Sequence, residues 1–304
     1  MEKTNKIMAI IMSCVSFVLI TLFLVGFLAL PLVSGGNLYD IIKQFIDIVK
    51  SISGESGSVS TLIYYILTFG GLFGLALGFG VACLVKSIIL LVNAIKGLSS
   101  SKAPVKPFVG LGVTLLVFAA FLSAFVEFTL GAGGIMFLVA GIVALTCAGV
   151  NHIMNYPERK LVNKILDMST VLLAMLGIIF VLADGVLTMF IGGMSAVAGR
   201  YGEMIKVILM MFGAILIIVG FGFASKVVES SYRFEVVGKE VDYVKATIVK
   251  AALWFGFTLV GFILLVISGS GGETPVKLIL GMVFSALALG GAIANKVLEG
   301  KKAE

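Results

Sequence analysis

The length of its apolar runs constrains this chain more than any other feature. Ile7–Val33, Gly133–Val150 and Ala251–Ile267 carry no charged residue at all. A helix needs about 20 mostly apolar residues to cross roughly 30 Å of hydrocarbon at about 1.5 Å per residue. Further runs lie at Leu62–Val85, Phe108–Leu130, Met168–Ile191, Val207–Ala224 and Leu278–Ala294. The runs are continuous rather than alternating, so they read as helices and not as strands of a barrel. Composition agrees: 60% of the 304 residues are hydrophobic and 12% are charged, against about 45–50% and 25% in soluble domains. The expectation is an all-α polytopic membrane bundle of about eight transmembrane helices, with the lipid bilayer as its first partner.

The basic residues orient the set. With eight spans, Lys43, Lys50, Arg200, Lys206 and Lys277 fall on one side, and the rest of the 22 basic residues fall on the other. Cytoplasmic connections are the lysine- and arginine-rich ones, which predicts a multi-pass cell-membrane protein with both termini cytoplasmic. The formal charge of +6 has the same origin, and no basic stripe with interleaved aromatics points to nucleic acid. The first apolar run is too long for a cleaved signal segment and reads as a retained span.

Ordered self-matches run through the sequence. Asn5-Lys6-Ile7 recurs as Asn163-Lys164-Ile165, and Gly78-Phe79-Gly80 as Gly220-Phe221-Gly222. Gly112, Thr114, Leu115 and Phe118 recur as Gly256, Thr258, Leu259 and Phe262, and Gly131–Gly134 as Gly269–Gly272. The reading is a tandem duplication of a four-span unit, residues 1–155 and 156–304. An even span number per unit makes the copies parallel, related about the membrane normal.

Between the first two spans, Leu38, Ile41, Ile42, Phe45, Ile48 and Val49 recur at helical spacing, with Asp40, Lys43, Asp47 and Lys50 between them. This predicts an amphipathic helix over Asn37–Ile52 with Asn37 as N-cap. It lies on lipid, docks a partner, or covers an outer vestibule.

Two further features are candidates for function. Gly70, Gly74, Gly78 and Ala82 form a small-residue ridge four residues apart, a helix-packing surface either inside the bundle or between copies. Ala286, Gly290 and Ala294 form a second ridge. Glu127, Asp184 and Lys206 are the ionisable residues assigned to spans, and a charge in lipid is a functional hypothesis by default. They are expected at similar depth in the outer leaflet, with Lys206 paired to a carboxylate.

Signals for chemistry are weak. His152 is the only histidine, and with Cys147 five residues before it gives no metal-ligand spacing. Cys14, Cys83 and Cys147 are too scattered for a disulfide framework and read as small packing residues. No phosphate-cradling loop or nucleophile–base pair is present, so no cofactor, metal or enzymatic activity is expected. The favoured function is a non-catalytic membrane subunit or scaffold acting through helix packing, with other membrane subunits or a homo-oligomer as partners. The alternative is a small-solute or ion transporter or channel with a path between the repeated halves.

Overall fold

The structure is a computed structural model. It describes residues 2–32, 71–97, 105–123, 131–156, 158–183, 204–233, 242–268 and 276–300, together with 36, 37, 39, 40, 42, 43, 46, 47, 50 and 51. Its regular elements are helices: α1 Glu2–Leu28, α2 Gly71–Gly97, α3 Lys106–Ser123, α4 Ala132–Asn155, α5 Leu161–Ala183, α6 Met204–Ser231, α7 Tyr243–Ile267 and α8 Val276–Gly300. Seven of them are long and apolar enough to cross a membrane, and α3 contributes a shorter apolar stretch, Lys106–Leu122. The chain is an integral, multi-pass helical membrane protein.

Several helices outrun the apolar stretches that predict them. α4 continues past Val150 to Asn155, α5 starts seven residues before Met168, and α6 and α8 run on to Ser231 and Gly300. Backbone hydrogen bonding does not stop where apolar residues stop, and Lys and Glu are themselves good helix formers. The result is that polar side chains ride on rigid helix ends rather than on loops.

The described residues divide into two compact units, one from α1 to Cys147, the other from Ala148 through α5 and from Ile205 to α8. In the first, α2 packs on α1 and α3. Its core is a cluster of rings. Phe118 of α3 lies 5.2 Å from Phe137 of α4 and 5.9 Å from Phe79 of α2, and Phe23 of α1 lies 5.7 Å from Phe137. Glycines make room for them: a Cβ at Gly26 would stand 3.0 Å from the Phe137 ring, and one at Gly80 would overlap Phe27. The start of α4 is pressed against the chain after α1, where Gly133 N–H donates to Pro31 C=O at 2.8 Å and Gly131 N–H to Leu32 C=O at 3.0 Å.

Residues 39–40, 42–43, 46–47 and 50–51 are helical. Asn37 and Asp40 cap one another there: Asp40 N–H donates to Asn37 Oδ1 at 3.0 Å and Asn37 N–H to Asp40 Oδ2 at 3.1 Å. Lys43, Asp47 and Lys50 are exposed and Ile42 is half-buried. Leu38, Ile41, Phe45, Ile48 and Val49 lie outside the described residues.

The second unit is built on the α5–α8 pair, with α7 also against α8. Ala174 faces this core from α5, and Ser285, Ala288 and Ala292 face it from α8, all buried. Trp254 of α7, the only tryptophan, is fully buried; a Cβ at Gly177 of α5 would lie 2.5 Å from its ring.

One crossing is built once in each unit. A Cβ on Gly112 of α3 would lie 3.0 Å from Gly141 C=O and 3.0 Å from Leu145 Cγ of α4. A Cβ on Gly213 of α6 would lie 2.8 Å from Gly261 C=O and 3.0 Å from Leu265 Cγ of α7. This recurrence pairs α3 with α6 and α4 with α7, whereas the sequence matches pair Gly112 with Gly256.

Candidate functional site

A polar clasp closes one end of the second unit. Its first layer comes from the facing seams of α5 and α8. Asn163 and Asp167 stand four residues apart on α5, and Asn295 and Glu299 four apart on α8, so each pair shares a helix face. Asn163 Nδ2 donates to Asn295 Oδ1 at 2.8 Å, and Asn295 Nδ2 donates to Asp167 Oδ1 at 2.6 Å. All three side chains are buried. The other Asp167 oxygen, Oδ2, faces His152 Nε2 of α4 at 3.2 Å and also receives Arg159 Nη1.

Arg159 joins the layers. Its second nitrogen, Nη2, donates to Glu299 Oε1, which also accepts from Arg233 Nη2 at 2.7 Å. Two guanidinium groups are thus matched by two carboxylates. Burial disfavours the Arg159 charge, but hydrogen bonds and attraction from Asp167 and Glu299 outweigh it and hold the group above its ordinary range. Lys164 caps the chain beside it, donating to Ile153 C=O at 3.2 Å.

Local backbone geometry delivers each group. Arg233 follows the end of α6 with φ 54°, a left-handed conformation uncommon outside glycine. Its N–H donates to Ser230 C=O at 3.0 Å, its carbonyl accepts from the Tyr156 hydroxyl at 3.4 Å, and its side chain turns to Glu299. His152 is wholly buried, with its ring 5.3 Å from Tyr156 and 5.0 Å from Tyr232. Burial and the Asp167 charge both push the Tyr232 phenol up, so it stays neutral.

Beside Asp167 is a small pocket lined by Thr170, Ser230, Ser231, Arg233, Thr247 and Asn295, among others. The space open to a water-sized sphere's centre is about 10 Å³, on the scale of a single water. Ser231 Oγ is buried there without a hydrogen-bond partner among the described residues, which suits it to hold such a water. Most of the other hydroxyls donate to their own helix backbones, as Thr170 does to Leu166 C=O and Thr247 to Tyr243 C=O, each at 2.8 Å.

The residues singled out from sequence fall elsewhere. Lys206 is exposed in the first turn of α6. Glu127 and Asp184, its expected companions, lie outside the described residues, as does Gly70. Gly74 and Gly78 are exposed on α2, with no described atom within 4 Å of a Cβ at either, and Ala82 is half-buried. The face of α2 that packs is Gly80, Cys83, Ser87, Leu90 and Ala94. Ala286, Gly290 and Ala294 of α8 are likewise exposed, one step round the helix from the buried seam. The three cysteines carry free thiols. No group of three or more metal-ligating side chains occurs among the described residues.

Asp167 escapes a hydropathy reading by a single position, because the apolar stretch begins at Met168. The signal that finds the clasp is the matched i, i+4 spacing of Asn163/Asp167 and Asn295/Glu299 at two helix ends. No protein-family model matches the chain, and neither a curated protein nor a solved structure matches it.

Proposed function

We propose that this protein is a non-catalytic membrane subunit or scaffold that works by presenting helix faces to other membrane segments. The carrying observation is the outward position of its small-residue ridges. Gly74 and Gly78 on α2, and Ala286, Gly290 and Ala294 on α8, are exposed while neighbouring faces of the same helices are packed. In lipid, small residues four apart let a second helix backbone come close, and association there relies on such packing. The partner this favours is another transmembrane helix, from a second copy or a different subunit. The ordered sequence matches support an origin in one duplicated four-span unit, and the charge distribution supports cytoplasmic placement of the clasp.

Replacing Gly78 and Gly290 by Leu tests the reading. A Cβ at either position meets no described atom, so the fold is expected to keep its melting temperature. The size of the complex extracted from native membranes in mild detergent should fall. An unchanged complex with both ridges blocked would remove the scaffold reading.

The transporter reading draws on a different observation: Asp167 is an ionisable group inside an apolar helix and beside a polar pocket. It predicts solute or ion flux in proteoliposomes that Asp167→Asn abolishes. Flux that survives this substitution, or absence of any flux, favours the scaffold.

A further inference from the structure

We propose that His152 is a proton-binding site, and that a proton on its ring displaces Arg159 from Asp167 and loosens the connection between α4 and α5. Two donors address one oxygen: His152 Nε2 and Arg159 Nη1 both meet Asp167 Oδ2. With the carboxylate ionised, Nε2 carries the hydrogen of the neutral ring, and Nδ1 is a bare acceptor. Nδ1 is buried without a hydrogen-bond partner among the described residues, so it is the nitrogen that can take a proton. Uptake adds one proton from water to Nδ1 and one positive charge to the ring. No other bond forms or breaks.

The imidazolium then shares Oδ2 with a guanidinium. Like charges this close repel strongly where solvent is scarce. Arg159 is the partner that leaves, for two structural reasons. It already holds Glu299 with its other nitrogen, and its side chain reaches the surface, whereas the His152 side chain is 0% exposed and flanked by Tyr156 and Tyr232. The charges around the ring are few. Asp167 favours the proton; Arg159, and Lys164 one turn away on α5, oppose it; Glu299 and Arg233 bear on it through Arg159. Tyr156 and Tyr232 flank the ring, and Tyr232 stays neutral. Because Arg159 opposes the proton, its departure and proton uptake promote each other.

The experiment uses the full chain in detergent, with the three cysteines replaced by Ala and a nitroxide attached at Glu158→Cys, next to Arg159 and exposed. From about pH 7.5 to about 5.5 the mobile fraction of the spectrum should rise about threefold, and His152→Gln, whose amide still donates but does not titrate here, should hold it flat. A spectrum constant with pH overturns the proposal, and so does an equal rise in His152→Gln. Because the chain holds one histidine, ¹⁵N-histidine labelling of the unsubstituted protein reads the ring directly and does not depend on any variant folding. Its signals should pass from the neutral to the charged pattern over the same pH interval. A ring that remains neutral at about pH 5 sinks the inference.

Discussion

The first unit brings its helices together through rings seated on glycines, and the second through amides and charges locked at one end. In the first, Phe23, Phe79, Phe118 and Phe137 reach one another from four helices, and Gly26 and Gly80 clear the space. In the second, small residues line the α5–α8 seam, and the selective contacts sit in Asp167, Asn163, Asn295, Arg159 and Glu299. Ring packing is spread over many contacts and tolerates small shifts. A hydrogen-bonded charge cluster is directional: each donor has one acceptor, and a misplaced helix leaves a charge buried and unmatched. The first arrangement therefore favours closeness, while the second fixes register.

The largest expected effect separates the units outright. Asp167→Ala takes from Arg159 one of its two carboxylates and leaves Asn295 Nδ2 without its acceptor, and breaking a buried pair in this way costs about 3–5 kcal/mol. Hydrogen exchange should accelerate in α5 and α8 and stay unchanged in α1–α3. Equal acceleration in both units would mean that they do not differ as described. Phe118→Ala is the converse, costing about 3–5 kcal/mol with its exchange signature in the first unit. If that loss registers in α5 and α8 instead, the aromatic cluster is not what holds the first unit.

Smaller effects sharpen the contrast. Gly112→Leu forces the α3–α4 crossing apart, and Gly213→Leu does the same to α6–α7, each at about 1–3 kcal/mol. Similar losses of melting temperature would confirm that the repeated crossing is equivalent in strength. Glu299→Gln keeps an acceptor for the two arginines and removes the charge. Its side chain is 34% exposed, so the loss should be only about 1 kcal/mol and should shrink as salt is raised. A loss that ignores salt would show that Glu299 acts by packing. At the bottom of the scale, Lys226→Ala removes an exposed pair with Glu229 and should change stability by about 0–0.5 kcal/mol.

What could be read from the sequence follows the same division. Long apolar runs announce membrane helices because length and hydrophobicity are local properties. The cap at Asn37 and Asp40 was legible for that reason too, since both partners lie within one turn. Which side of a helix packs is not local. Spacing alone picks out Gly74 and Gly78, yet α2 packs through Gly80 and Cys83, because the rings that need room sit on α1 and α3. The glycines that match in sequence make this concrete. Gly80 faces Phe27 while Gly222 faces open space, and Gly78 faces open space while Gly220 lies 3.4 Å, at Cβ, from Trp254. These similar stretches bury different faces. Asp167 was hidden because hydropathy ends a span at the first charge, whereas the backbone carries the helix straight through it.

The partners in the clasp are far apart along the chain: Asn163 and Asn295 are separated by 132 residues, and Arg159 and Glu299 by 140. At synthesis rates of about 5–20 residues per second, α5 waits roughly 7–30 s before α8 exists. During that interval Asp167 and Arg159 have each other but lack Asn295 and Glu299. The nascent second unit is therefore a temporary state with a half-satisfied polar face at one end of α5. Such a face is what an insertion factor or chaperone for membrane helices can hold. A ribosome stalled between α7 and α8 should yield a protein that crosslinks to that machinery through α5, and release of α8 should end the contact.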